Sequence, residues 1–81
     1  MSPGYRIQWF GLLSERRGLS QESIHSNANT PAELYRELAE AHGIALAISD
    51  LRAAVNDGFV PWDHPIKDGD HIAFLPPMSG G

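Results

Sequence analysis

Cysteine is absent from the 81 residues, which excludes disulfides, thiolate metal sites and a cysteine nucleophile among them. Basic residues are scarce: six Lys and Arg stand against ten Asp and Glu, for a formal net charge of −4, and they form no stripe. Nucleic acid is therefore disfavoured as a partner, and a basic protein surface fits better. No apolar run approaches the length of a membrane span, and the N-terminal residues lack the basic-then-apolar layout of a signal peptide. The expected location is cytoplasmic, with no membrane partner. His25, His42, His64 and His71 show neither H-x-x-H nor H-x-x-x-H spacing, so no metal site is expected. Also missing are a G-x-S-x-G nucleophile turn and a glycine-rich phosphate loop, so neither serine-nucleophile chemistry nor nucleotide binding by this chain alone is expected.

What is present is an ordinary globular balance, 42% hydrophobic and 20% charged, which argues against disorder. A chain this short makes one domain with one small core and little room for a deep cleft. Tyr5, Ile7 and Trp9 alternate with Arg6 and Gln8, the period of a strand with one buried face, which leaves Phe10 on the polar side. Leu12 to Arg17 reads as a short helix stopped by Gly18, and Glu22 to Ser26 as a polar strand. Thr30-Pro31-Ala32-Glu33 then supplies an N-cap hydroxyl, a proline at the first helical position and a glutamate at N3, the sequence of a capping box. In the helix that follows, the spacing of Leu34, Leu38 and Ala41 predicts the core stripe, and Gly43 the end. Ile44 to Ile48 reads as a buried connection. Arg52 to Asn56 is a strand, and Asn56-Asp57-Gly58 a hairpin turn leading into Phe59 and Val60, which must face opposite sides. After a loop at Pro61 to Pro65 and a tight turn at Lys67-Asp68-Gly69-Asp70, the last strand runs from His71 to Leu75. With Ile72 and Phe74 in the core, Ala73 and Leu75 lie on the far face.

The chain closes with Pro76-Pro77-Met78-Ser79-Gly80-Gly81. Tandem prolines cannot donate ladder hydrogen bonds and keep the chain stretched, so residues 1–75 read as the body and 76–81 as an extended tail. At roughly 3.3–3.6 Å per residue the tail carries its carboxylate about 20 Å outward, far enough to enter another protein's active site. Gly80 and Gly81 have no side chains to obstruct a narrow channel, and the Gly81 carbonyl is open to attack from either side. A free α-carboxylate, with a pKa of about 3.3–3.7, is anionic and a poor electrophile at neutral pH. It needs activation, most directly by an adenylyl group from ATP. Gly-Gly alone reads first as a frayed end; the prolines, the strand and the Asp68-Gly69-Asp70 turn shift the weight towards function.

The stretch Asp68-Gly69-Asp70-His71-Ile72-Ala73-Phe74-Leu75-Pro76-Pro77-Met78-Ser79-Gly80-Gly81 resembles the C-terminal signature of the MoaD-type sulfur carriers, the small subunits of molybdopterin synthase. Ala53-Ala54-Val55-Asn56 and Asp63-His64-Pro65 also stand where that family carries similar segments. His71 replaces a frequent acidic residue, Leu75 a frequent aromatic and Met78 a smaller aliphatic.

The resemblance implies an α+β fold, the ubiquitin-like β-grasp: a mixed sheet of four to five strands, first and last strands parallel at its centre, one main helix on one face, and a flexible Gly-Gly tail. Phe10, Phe59 and Leu75 would then share the uncovered face as a partner interface. It also implies that an adenylating enzyme of the ubiquitin-activating type uses ATP to activate Gly81, and that sulfur, with no cysteine to hold it, is carried there as a thiocarboxylate. Pro76, Pro77, Met78, Ser79 and Gly80 would insert into the large subunit of molybdopterin synthase, in a heterotetramer whose catalytic residues lie on that subunit. This chain would bind no cofactor itself. A carrier for thiamine thiazole synthesis, or a ubiquitin-like modifier conjugated through Gly81, stands as the alternative.

Overall fold

A computed structural model of the chain describes residues 2–77. Met78, Ser79, Gly80 and Gly81, the remainder of the expected tail, lie outside the described residues. Five strands form one sheet: β1 (Gly4–Trp9), β2 (Gln21–His25), β3 (Arg52–Val55), β4 (Gly58–Val60) and β5 (His71–Leu75). Two α-helices, α1 (Leu12–Arg17) and α2 (Pro31–His42), and a 3-10 turn at Ile48–Asp50 complete it. The strand order is β2-β1-β5-β3-β4. β1 and β5 are parallel, with Ile7 opposite Ile72 and Trp9 opposite Phe74, and the other pairings are antiparallel. The first and last strands therefore lie together at the centre, the β-grasp order.

Alternation decides which face is buried. Tyr5, Ile7 and Trp9 of β1 and Ile72 and Phe74 of β5 are buried with Leu34, Tyr35 and Leu38 of α2. The predicted stripe is corrected at one place: Ala41 is exposed, and Tyr35 is a core residue instead. Gly43 takes the left-handed conformation (φ 67°) and turns the chain back, so that the Ile44 N–H reaches the Ala39 carbonyl at 2.9 Å and Ile44 itself is buried. Ile44 thus fills that end of the core, and Tyr35 packs farther along against Trp9, Trp62 and Phe74. Tyr35 is also tied by its hydroxyl, which donates to the Leu46 carbonyl at 2.7 Å.

The capping sequence forms its cap. The Thr30 hydroxyl accepts the Glu33 N–H at 3.2 Å, while the Glu33 carboxylate reaches past Thr30 to accept the Asn29 N–H at 2.8 Å. Within β3–β4 the two loop residues Asn56 (φ 51°) and Asp57 (φ 74°) both sit at positive φ, as a type I′ turn requires of a tight right-twisted hairpin. Asn and Asp tolerate that region better than other non-glycine residues. Among the described residues no helix is long and apolar enough to cross a membrane.

Candidate interface and tail root

The face of the sheet turned away from α2 is built by residues one position out of step with the core. β1 supplies Arg6 and Gln8, with Phe10 just beyond its end; β5 supplies His71, Ala73 and Leu75. On β3, Arg52 lies opposite Leu75 and Ala54 opposite Ala73, and Ala54 in turn faces Phe59 of β4. The pairing brings Phe10, Phe59 and Leu75 around a shallow depression of about 170 Å³, floored by Ala54 and Ala73. Phe59 is 66% exposed and Phe10 37%, whereas Leu75 is half-buried. The two alanines keep the floor low and the aromatics raise its rim, a shape that admits side chains from outside.

The expectation of a basic partner does not follow for this face. Its charged members on β1 and β3 are Arg6 and Arg52, both exposed, with Asp57 at the edge of the depression. The helix, by contrast, exposes Glu33, Glu37 and Glu40 beside a single arginine, Arg36. The net charge of the chain is an average over two unlike surfaces.

The point where the tail leaves is held from three sides. Phe74 is fully buried, its ring 5.1 Å from that of Trp9, 5.4 Å from Tyr35 and 6.0 Å from Trp62, the last stacked at an interplanar angle of 8°. Removing a buried phenyl ring costs about 3–5 kcal/mol, so this residue is a firm anchor. Trp62, in what read as a simple loop, was not legible as part of it. The Phe10 N–H donates to the Phe74 carbonyl at 3.2 Å, the last rung of the parallel ladder. The next rung would run from the N–H of residue 76 to the Phe10 carbonyl. Pro76 has no N–H, and the Phe10 carbonyl instead accepts the Leu13 N–H at 3.0 Å, at the start of α1. One proline thus ends the sheet and leaves an acceptor free to begin a helix. Pro76 is half-buried against Gly11, and Pro77 is exposed.

Behind this corner, the Glu22 carboxylate accepts the Trp9 indole N–H and the Arg17 Nε–H, each at 2.7 Å, and the Arg17 Nη2 donates to its other oxygen at 2.7 Å. Burial pushes the carboxyl up, but the hydrogen bonds from Arg17 and Trp9 and the Arg17 charge outweigh it and hold the group below the usual glutamate value. The Arg17 guanidinium is held up chiefly by the same hydrogen bond. These bonds join α1, β1 and β2 into a clasp behind the root of the tail. Among the described residues no cluster of three or more His, Asp or Glu side chains is placed to hold a metal ion.

Residues 7–81 match the ThiS family. The chain belongs to that family. It is 35% identical over 79 residues to the molybdopterin synthase sulfur carrier subunit of Escherichia coli (strain K12), covering 94% of this chain and 98% of that one. Among solved structures it is similar to the complex of subunits 1 and 2 of the molybdopterin-converting factor from Helicobacter pylori 26695, at 30% identity and TM-score 0.66, over 96% of this chain and 99% of that one. Molybdopterin converting factor subunit 1 from Pyrococcus furiosus shares the fold at TM-score 0.78 and 23% identity, over 95% of this chain and all of that one. ThiS-family membership and the β-grasp topology therefore agree with the reading of the C-terminal signature. Gly80 and Gly81 fall within the matched span but outside the described residues.

Proposed function

We propose that the chain is the sulfur carrier subunit of a molybdopterin synthase, acting in the cytoplasm. The observation that carries this reading is the pairing of a rigid tail root with an open apolar face next to it, in a chain similar along nearly its whole length to a curated sulfur carrier subunit. Gly81 is the chemically active residue. Its carboxylate attacks the α-phosphorus of ATP on an adenylating enzyme, pyrophosphate leaves, and hydrosulfide then displaces AMP and loses its proton to give the thiocarboxylate. The Phe10, Phe59 and Leu75 face docks on the large subunit, and Pro76, Pro77, Met78, Ser79 and Gly80 thread Gly81 into its active site, where a pyranopterin precursor takes up the sulfur. Prolines hold this segment near its bound conformation and reduce the ordering cost of capture. The carrier supplies sulfur and the large subunit the catalytic residues, in the heterotetramer that the family resemblance implies.

The test is reconstitution: the chain, an adenylating enzyme, ATP and a sulfur donor should yield a thiocarboxylate by intact mass. With a large subunit and precursor, that species should then yield a dithiolene product and regenerate the free carboxylate. Adducts joining Gly81 to lysines of other proteins, with no thiocarboxylate, would assign the chain to protein modification instead. Sulfur incorporation into a thiazole but not a pterin would move it to thiamine synthesis.

A further inference from the structure

Three glycines of the body sit at positive φ at helix ends, and they are not alike: Gly18 and Gly43 are left-handed helical, whereas Gly11 lies outside that region. Gly18 (φ 89°) and Gly43 (φ 67°) follow α1 and α2, and a methyl group added to either would meet nothing within 4 Å. Gly11 (φ 53°, ψ −130°) precedes α1, and a Cβ there would lie 3.0 Å from Pro76 Cγ and 3.7 Å from Pro76 Cδ. The first of these distances is tighter than nine in ten real Cβ contacts, so one of the two groups must give by a few tenths of an ångström. Gly11 cannot yield easily, because its carbonyl accepts both the Ser14 N–H at 3.0 Å and the Ser14 hydroxyl at 2.8 Å. Its neighbour Phe10 is held by Phe74 on one side and Leu13 on the other. The movable member of the contact is Pro76, the first residue beyond the sheet.

We propose that Gly11 is a positioning residue for sulfur transfer: by having no side chain it lets the Pro76 ring seat against the β1–α1 corner, and so sets the direction in which the tail leaves. The proposal rests on the carrier reading above. Its leverage comes from length: six residues drawn out fully by a partner would span about 20 Å, so a turn of about 10° at their root would move the far end by about 3 Å. Misplacement of a reacting group by about 1 Å is enough to slow a reaction about 100-fold. The body would lose some stability to the backbone strain at residue 11 but, once folded, would dock as before while its cargo missed the acceptor.

The experiment uses the full chain, loaded as thiocarboxylate, and follows single-turnover sulfur transfer to the precursor on the large subunit alongside the thermal midpoint. Gly11→Ala, Pro76→Ala, the double variant and Gly43→Ala are compared. Gly11→Ala should slow transfer at least tenfold. Gly43→Ala, which places alanine in the milder left-handed helical region (φ 67°, ψ 32°) and touches nothing, should lower the midpoint less than Gly11→Ala and leave transfer at the wild-type rate. Pro76→Ala removes the atoms that the new methyl would strike, so the double variant should transfer no more slowly than Pro76→Ala alone. Equal rates for Gly11→Ala and Gly43→Ala, or multiplying losses in the double variant, would overturn the proposal. Should Gly11→Ala not fold, Pro76→Ala decides: its ring no longer registers on Gly11, so transfer should fall several-fold at an unchanged midpoint, and a wild-type rate would count against the proposal. A wild-type chain that loads with sulfur but transfers none removes the carrier reading itself, and with it the role of Gly11.

Discussion

Asn56 fastens to Asp70 across the end of the sheet. The Asn56 amide donates to one Asp70 carboxylate oxygen at 3.1 Å, the Lys67 N–H donates to the other at 2.9 Å, and Asp70 is buried. Asn56 also accepts the His71 N–H at 3.0 Å through its side chain and returns its own N–H to the His71 carbonyl at 2.8 Å. The hairpin turn and the start of the central strand are thus one unit. Burial, together with the neighbouring Asp70 and Asp68 charges, also raises the Tyr5 phenol.

Replacing Asn56 by Ala removes these side-chain bonds and leaves a non-glycine residue at φ 51°. The expected loss is about 2–3 kcal/mol, from stranded polar groups and backbone strain. Asn56→Gly loses the same bonds without the strain and should recover about 1 kcal/mol of that. Urea unfolding midpoints of the two variants measure the difference, and a wild-type midpoint for either would show that the network contributes nothing.

The Glu22 carboxyl is held below its ordinary value in the folded protein, so its contribution to stability is complete above the unfolded glutamate value of about 4.3 and disappears as pH falls through the lower native value. Glu22→Gln should cost about 1–2 kcal/mol at neutral pH, where charged hydrogen bonds from Arg17 and Trp9 are lost. Thermal midpoints recorded against pH should show the gap between wild type and variant closing only below about pH 4.3. A gap independent of pH would mean that the charge is not what matters.

Charge on the open face should separate binding from stability. Phe59→Asp, at a side chain 66% exposed, should leave the unfolding free energy within about 0.5 kcal/mol of wild type while weakening large-subunit binding at least tenfold. Phe10→Asp should behave similarly, and Leu75→Asp, half-buried on the central strand, should lose some of both. Calorimetric titration with the large subunit reads the binding, and unchanged affinity for Phe59→Asp would remove that residue from the interface.

Deleting Gly81, or adding one residue after it, should abolish sulfur loading with no change in the far-ultraviolet circular dichroism or the thermal midpoint. Intact mass after incubation with the adenylating enzyme, ATP and sulfur donor is the measurement. A thiocarboxylate on the shortened chain would place the chemistry elsewhere.

Local chemistry made much of this protein readable without coordinates. Thr30-Pro31-Ala32-Glu33 starts a helix because cap, proline and glutamate act within one turn, and the alternation of Tyr5, Ile7 and Trp9 names its own buried face. Strand parity put Phe10 and Leu75 off the core face, and the β-grasp order implied by the family resemblance put Phe59 on the same surface. What tertiary structure alone decided are the meetings between segments far apart in the chain. Tyr35 is drawn into the core by Trp9, Trp62 and Phe74, while at the helix end the turn at Gly43 brings Ile44 into the core and leaves Ala41 outside. Trp62 stacks on Phe74 from a loop with no periodicity to announce it. Gly11 lies beneath Pro76 because parallel pairing aligns the ends of the first and last strands, a contact across 65 positions that no pattern within either segment contains.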